Sequence, residues 1–228
     1  MQIFPGGKQA QRFVLQHHRI LLLGSRGVGK WSFIIKYMGY RSCFLDFDDV
    51  YQRDQDHRKQ CVIDDQVTLV EILPIYDETG DYPALKRQYI EESDGFIFMY
   101  SIGSQKSYQE LSGFYQQVRE VKGPGYIPMV VVGNKCDLIT DREVSSQEGR
   151  ELADSFGAVF YEASARNDIY IDWSVHELIR RIRDPLRSME PDGIGAQGNL
   201  GLEQRRRRYS LRAAWEWIGD FVKRVVRQ

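Results

Sequence analysis

The sequence is poor in cysteine and has no long hydrophobic run. Three of its 228 residues are cysteine, with no CxxC spacing: Cys43, Cys61 and Cys136. An odd, scattered set of thiols excludes a disulfide framework and a zinc site, and it indicates a reducing compartment. No apolar run approaches the roughly 18 residues that span a bilayer, and no secretory signal peptide is recognisable. We therefore expect a cytoplasmic protein.

A strong excess of charge of one sign is also missing. The formal net charge is -1, which gives no general attraction to nucleic acid, so nucleic acid is not an expected partner. Hydrophobic residues make up 42% of the chain and charged residues 28%, both ordinary for a globular protein. A length of 228 residues is enough for one domain with a substantial core and a tail.

Short apolar runs alternate with helical patterns along the middle of the chain. Strand-like runs lie at 19–23, 58–63, 67–73, 95–100, 129–132 and 158–161. Helical patterns cover 104–121, 145–156 and the stretch from 171 onward. This alternation predicts an α/β fold with a mostly parallel, doubly wound sheet and one antiparallel hairpin, formed by 58–63 and 67–73. In such sheets, ligands bind at the carboxyl ends of the strands.

A glycine-rich motif follows the first apolar run and opens a helical pattern. It consists of Gly24, Ser25, Arg26, Gly27, Val28, Gly29 and Lys30. Strand, glycine-rich turn and helix form the context in which GxxxxGK is specific for a phosphate-binding loop. The glycines let backbone N–H groups turn round an anion, the helix N-terminus adds positive potential, and the lysine reaches the outer phosphates. We predict that these seven residues bind a nucleotide.

A second motif follows the apolar run at 129–132. Asn134, Lys135 and Asp137 spell NKxD, and a carboxylate here can accept two N–H bonds from the N1–N2 edge of guanine, a donor pair that adenine lacks. The lysine stem can cover the base, and the asparagine can tie this loop to the phosphate loop. Ser164 and Ala165 follow the last strand, where backbone N–H groups could meet the guanine carbonyl oxygen. These residues together predict a guanine nucleotide site.

The two motifs, with Glu162-Ala163-Ser164-Ala165, resemble those of the Ras-like small GTPases in order and spacing. The resemblance covers about residues 16–184, and we assign 17–184 to a Ras-like G domain. It implies the P-loop small GTPase fold, with a mostly parallel six-stranded sheet, one antiparallel hairpin and helices on both faces. It also implies GTP and GDP as ligands and a switch role in signal transduction. Phe44 matches the family's phenylalanine that stacks on the base edge.

The residues that bind magnesium in that family are not matched. Trp31 follows the loop lysine where the family has serine or threonine, and an indole cannot ligate a metal. Ser32 is one residue late, and a helix turns its hydroxyl about 100° away. Pro74 aligns with the aspartate of the family's DxxG motif, while Asp77 begins a literal DxxG three residues later. Ser32 and Asp77 are therefore weak metal-ligand candidates, and magnesium stays an open question.

The parts that support hydrolysis in the family are altered as well. No threonine or serine lies between Cys43 and Gln60, where the family's first switch carries a threonine that closes over the metal. The glutamine that orients the attacking water is replaced by Glu78 or Asp81, depending on register. Arg26 stands where the family usually has glycine. Its side chain would either obstruct an activating protein's arginine finger or supply positive charge in place of the metal. No catalytic residue is assigned.

The two ends of the chain differ from the domain in composition. Residues 1–16 predict a flexible arm, and 185–204, with its prolines and glycines, predict a linker. Residues 205–228 predict a basic amphipathic helix with eight Lys or Arg, two Asp or Glu and a net charge of +6. Its expected partner is an anionic membrane surface, a protein, or its own domain. The family's prenylated cysteine is not found at the end of this sequence, so any membrane association is expected to be peripheral and reversible.

The sequence therefore predicts a Ras-like GTP/GDP-binding switch with slow or impaired hydrolysis. One alternative is a pseudo-GTPase, an interaction module without hydrolytic activity. A further alternative is a membrane-tethered scaffold in which the tail carries the function. The effectors, the exchange factor and the pathway are not specified by any motif.

Overall fold

The computed structural model describes residues 15–39, 57–75 and 83–185. The chain divides into a unit of residues 1–190 and a unit of 191–228, and every described residue belongs to the first. In chain order the elements are β1 (Gln16–Leu23), α1 (Lys30–Met38), β2 (Arg58–Ile63), β3 (Gln66–Pro74), α2 (Pro83–Glu92), β4 (Gly95–Ser101), α3 (Gln105–Gln109), α4 (Leu111–Lys122), β5 (Met129–Asn134), α5 (Ser146–Phe156), β6 (Val159–Ala163) and α6 (Ile171–Arg183). The predicted linker from 186 onward, the tail helix and most of the predicted arm lie outside the described residues.

The strands form one six-stranded sheet in the order β2-β3-β1-β4-β5-β6. β2 pairs with β3 in an antiparallel manner across the turn at Asp64 and Asp65, and every other pairing is parallel. The predicted fold class, a mostly parallel sheet with one antiparallel hairpin, is therefore confirmed. The central strands read as continuous apolar runs because both of their faces are covered.

Two hydrophobic clusters cover the two faces of the sheet. Alternate residues of β1 point to opposite faces, so that Ile20 and Leu22 join one cluster while Leu21 and Leu23 join the other. The first cluster contains the apolar faces of α1 and α6, and the second contains those of α2, α4 and α5. Helices on both faces are thus confirmed, and the carboxyl ends of the strands are left for loops.

The helix predicted from 104 to 121 is divided in two, which corrects the sequence interpretation. α3 ends at Gln109 and α4 begins at Leu111, with Glu110 between them. Glu110 keeps helical dihedral angles, φ -66° and ψ -19°, and its carbonyl accepts the N–H of Gly113 at 3.1 Å more closely than that of Phe114, four residues later, at 3.4 Å. The interruption is therefore a tightened turn, and glycine in the first turn of α4 weakens the regular helical pattern there.

Helix α5 begins and ends where the sequence predicts. The Ser145 hydroxyl accepts the Glu148 N–H at 3.2 Å, and the Glu148 carboxylate accepts the Ser145 N–H at 2.8 Å, which completes a capping box. Gly157 closes the helix in the left-handed conformation. β1, in contrast, begins at Gln16 rather than at Arg19, because its first residues pair with the long strand β3.

Glu71 joins the three strands of the β2-β3-β1 half of the sheet. Its side chain is 9% exposed and accepts from Arg19 of β1 at 3.1 Å and from Arg58 of β2 at 2.8 Å, with His17 Nε2 at 3.2 Å. Burial opposes ionisation of Glu71, but the hydrogen bonds and charges of the two arginines outweigh it. The pKa of Glu71 therefore lies below its ordinary value of 4.5.

Glu71→Gln should lower the free energy of unfolding at neutral pH by roughly 1–3 kcal/mol, because charge-assisted bonds from two arginines are lost. The folded pKa is depressed, so this contribution is complete above about pH 4.5 and is lost as the pH falls through the folded pKa. Urea unfolding at several pH values measures the difference. Glu91→Gln, which breaks the exposed pair with Arg87, is the matched control and should cost about 0.5 kcal/mol at most. A difference for Glu71→Gln that persists unchanged in acid would contradict this reading.

Candidate guanine nucleotide site

The loop between β1 and α1 has a backbone that only glycine permits at two positions. Gly24 has φ +154°, and a Cβ there would lie 2.1 Å from the Met99 carbonyl oxygen on β4. Gly29 has φ +96°, and its Cβ would lie 2.5 Å from Nδ2 of Asn134. The loop therefore packs directly against the ends of β4 and β5. This close approach forms one wall of a cleft at the carboxyl edge of the sheet.

Lys30 is folded into the phosphate loop. It is the first residue of α1, is 3% exposed, and its ammonium donates to the carbonyl oxygens of Gly24 and, at 2.9 Å, Ser25. The first turn of α1 contains no acidic residue, so the positive potential of the helix N-terminus is not neutralised locally. A buried ammonium at the start of a helix is suited to bind the oxygens of a phosphate group.

The base-binding motif lies directly beside this loop. Asn134 ends β5, is 1% exposed, and donates from Nδ2 to the Val28 carbonyl at 2.8 Å. Lys135 adopts φ +63° and donates from Nζ to the Gly27 carbonyl at 2.6 Å. The two motifs, separated by about a hundred residues in sequence, are thus held together by two side-chain-to-backbone bonds. Asn134 also leaves its buried Oδ1 without a partner among the described residues.

Asp137 is oriented by the loop that follows β6. The Ser164 hydroxyl donates to Asp137 Oδ1 at 2.6 Å and accepts the Asn167 N–H at 3.1 Å. Ser164 itself exchanges two backbone bonds with Ile169, so its position is set by a closed turn. Ala165 is buried beside it. This arrangement holds a carboxylate in a defined orientation, which recognition of a planar donor pair requires.

The structure also assigns a contact that no sequence pattern indicated. The Ser25 hydroxyl donates to the carboxylate of Glu110, at the junction of α3 and α4. A cavity of about 670 Å³ opens beside this contact and is lined by Arg26, Glu110 and Phe114, among others, but by no residue of the base-binding motif. Glu110 belongs to no recognised motif. It meets Ser25 because the turn between α3 and α4 brings it to the loop. Arg26 and Gly27 are exposed at the loop tip.

Two described positions, 31 and 74, do not carry the oxygen ligands for magnesium that the family resemblance implies. The ring of Trp31 lies 5.2 Å from that of His57, at the position where the family has a metal-binding hydroxyl. Pro74 ends β3 opposite Leu22, and Ile75 is buried, so neither described residue at this strand end is a carboxylate. Within 15–39, 57–75 and 83–185 there is no group of three His, Cys, Asp or Glu side chains that could hold a metal. Phe44 and Asp77 lie outside the described residues.

A glycine-rich loop, a buried lysine at a helix start and a base-binding motif tied to that loop define a P-loop nucleotide-binding domain. A profile of the Ras family matches residues 19–184. A Ras-like protein of Laccaria bicolor is 40% identical over 187 residues, which is 80% of this chain and 86% of that protein. Ras-like protein 1 of Saccharomyces cerevisiae is 40% identical over 178 residues, 77% of this chain and 56% of its own length.

The chain therefore belongs to the Ras family. Membership confirms the resemblance seen in the motifs, and it implies GTP and GDP binding of the kind used in signalling switches. Among the described residues, no helix is both long enough and apolar enough to cross a membrane.

Asp137→Asn should weaken GDP binding on the order of 100-fold, because one acceptor oxygen becomes an NH₂ group that opposes the guanine donors. Isothermal titration of the nucleotide-free protein with GDP measures the change. Asp154→Asn, which removes an exposed carboxylate on α5, is the matched control and should leave the affinity unchanged. Equal affinities for wild-type protein and Asp137→Asn would show that Asp137 does not hold the base.

Proposed function

We propose that this protein is a GTP/GDP-binding switch in which the nucleotide is held well and hydrolysed slowly. The observation that carries the proposal is the pair of bonds from Asn134 and Lys135 to the phosphate loop. These bonds tie the segment that contains Asp137 to the loop that precedes Lys30, which supports a single guanine nucleotide site formed by both motifs.

Each part of the cleft has a chemical role in this proposal. Lys30 and the N–H groups of residues 24–29 bind the phosphates, while the stem of Lys135 covers the base plane. Asp137 accepts the N1–H and N2–H of guanine, and the backbone of Ser164 and Ala165 meets the carbonyl oxygen on the opposite side of the ring. Phe44 stacks on the base edge from a segment outside the described residues.

Slow hydrolysis follows from the residues that replace the hydrolytic parts. In the family, a glutamine orients the water and an arginine finger stabilises the transition state, which together account for about 10⁵-fold. Here Glu78 or Asp81 stands at the glutamine position. Neither offers an amide that both donates and accepts a hydrogen bond. Arg26 projects from the loop tip, where it would obstruct a finger from a second protein.

Single-turnover hydrolysis of bound GTP should proceed below about 10⁻⁴ s⁻¹. The measurement is the conversion of preloaded GTP to GDP over hours, with excess protein. Lys30→Ala is the control for contaminating enzymes, because it removes the phosphate ligand and should abolish loading. A rate well above this limit would contradict impaired hydrolysis. GTP that stays intact on the protein would favour the alternative, a pseudo-GTPase interaction module.

The tail offers a second binding function, a reversible attachment to anionic membranes. In a helix of 3.6 residues per turn, one face would carry Leu211, Trp215, Ile218, Val222 and Val225, and Trp217 would lie about 120° from its centre. Apolar burial and the net charge of +6 would both favour an anionic bilayer surface.

Full-length protein should therefore sediment with vesicles that contain phosphatidylserine, and deletion of 203–228 should abolish this binding. Trp215→Ala should weaken binding about tenfold, and Trp217→Ala by about threefold at most, because only the first ring lies at the centre of the apolar face. Added salt should weaken the binding of both tryptophan variants to these vesicles. Equal effects of the two tryptophan substitutions would contradict the surface helix.

A further inference from the structure

We infer that this chain holds its guanine nucleotide without magnesium, because Trp31, packed on His57, and Pro74 stand at two positions where the family has metal ligands. The inference rests on the proposed nucleotide site. It adds that phosphate binding here depends on protein charge and backbone alone.

The pair is built into two different elements of the fold. Trp31 is the second residue of α1 and directly follows Lys30 at the start of that helix. Its half-buried ring lies 5.2 Å from that of His57 with the planes 51° apart. His57 precedes β2, and its carbonyl accepts the Ile72 N–H of β3 at 2.9 Å, which anchors it to the sheet. The indole is therefore packed against a fixed neighbour at this position.

The second metal-ligand position is filled by apolar residues. Pro74 pairs with Leu22 at the end of β3, and the Ile75 N–H donates to the Leu22 carbonyl at 3.0 Å. Ile75 is 7% exposed and belongs to the hydrophobic cluster that contains Leu21 and Leu23. The chain therefore enters the hydrophobic core at the end of β3. At this point the family has an aspartate that binds the metal through water. Within the described strand β3, no carboxylate therefore stands at this point.

The chemistry of the remaining groups favours an anion and not a cation. An indole N–H is a donor only, and an ammonium likewise offers no lone pair to a metal. Trp31 and Lys30 are successive residues at the start of a helix, where the dipole is positive and the first turn has no acidic residue. The Lys30 ammonium and the positive end of the helix neutralise phosphate charge directly, which is the task that a bound metal performs in the family.

Calorimetric titration of nucleotide-free, full-length protein with GDP, in excess magnesium and then in excess EDTA, tests the inference. We expect the two dissociation constants to agree within about threefold, whereas a site that depends on a metal loses affinity on the order of 100-fold or more. Tight binding in magnesium that is lost in EDTA would overturn the inference and leave the proposed function intact. Failure to bind GDP in either condition would overturn both.

A variant in which two metal ligands are restored gives a second test of the inference. The double variant Trp31→Ser, Pro74→Asp restores a hydroxyl and a carboxylate, and its GDP affinity should become sensitive to EDTA. The matched control, Trp31→Phe, keeps an aromatic ring and should stay insensitive. Electron paramagnetic resonance of Mn²⁺ reports metal retention directly: the wild-type GDP complex should bind Mn²⁺ no more tightly than free GDP does, and the double variant more tightly. A folded double variant that stays insensitive to EDTA, or a wild-type complex that retains Mn²⁺, would overturn the role of Trp31.

Discussion

The hydrogen bond from the Asn134 amide to the Val28 carbonyl is the link on which the proposed nucleotide site depends. It joins the end of β5 to the phosphate loop after β1, although β4 lies between these two strands in the sheet. The link requires glycine at position 29, because a Cβ would approach the amide to 2.5 Å. The distance between the two motifs is therefore set by the loop backbone together with the Asn134 amide and the Lys135 ammonium.

The base-binding half of the proposed site keeps the family's motif, whereas the half around Trp31 and Pro74 does not. The base half is held by Asn134, Lys135 and the Ser164–Asp137 bond, all of which act through strand ends. The other half contains Trp31 and Pro74, two positions at which the sequence departs from the family's motifs. Substituting an indole for a hydroxyl at position 31 leaves the base half intact because none of its bonds passes through that side chain.

Much of the fold could be predicted from patterns that act locally. Apolar runs identified the six strands, and the capping box at Ser145 with Gly157 identified both ends of α5. The division between α3 and α4 could not be predicted, since Glu110 retains helical angles and only the i to i+3 bond of Gly113 marks the turn. The extension of β1 back to Gln16 was likewise missed, because His17 and His18 are polar and their strand conformation comes from pairing with β3.

The same distinction between local patterns and long-range contacts applies to the site residues. GxxxxGK and NKxD are short motifs whose chemistry is carried by consecutive residues, so the sequence by itself determined the class of ligand and the family. Tertiary structure alone decided which distant groups meet: Glu110 with Ser25, His57 with Trp31, and Ile75 with the core beneath β1. Such contacts depend on strand order and register, which bring together residues far apart in the chain, and no local pattern encodes those distances.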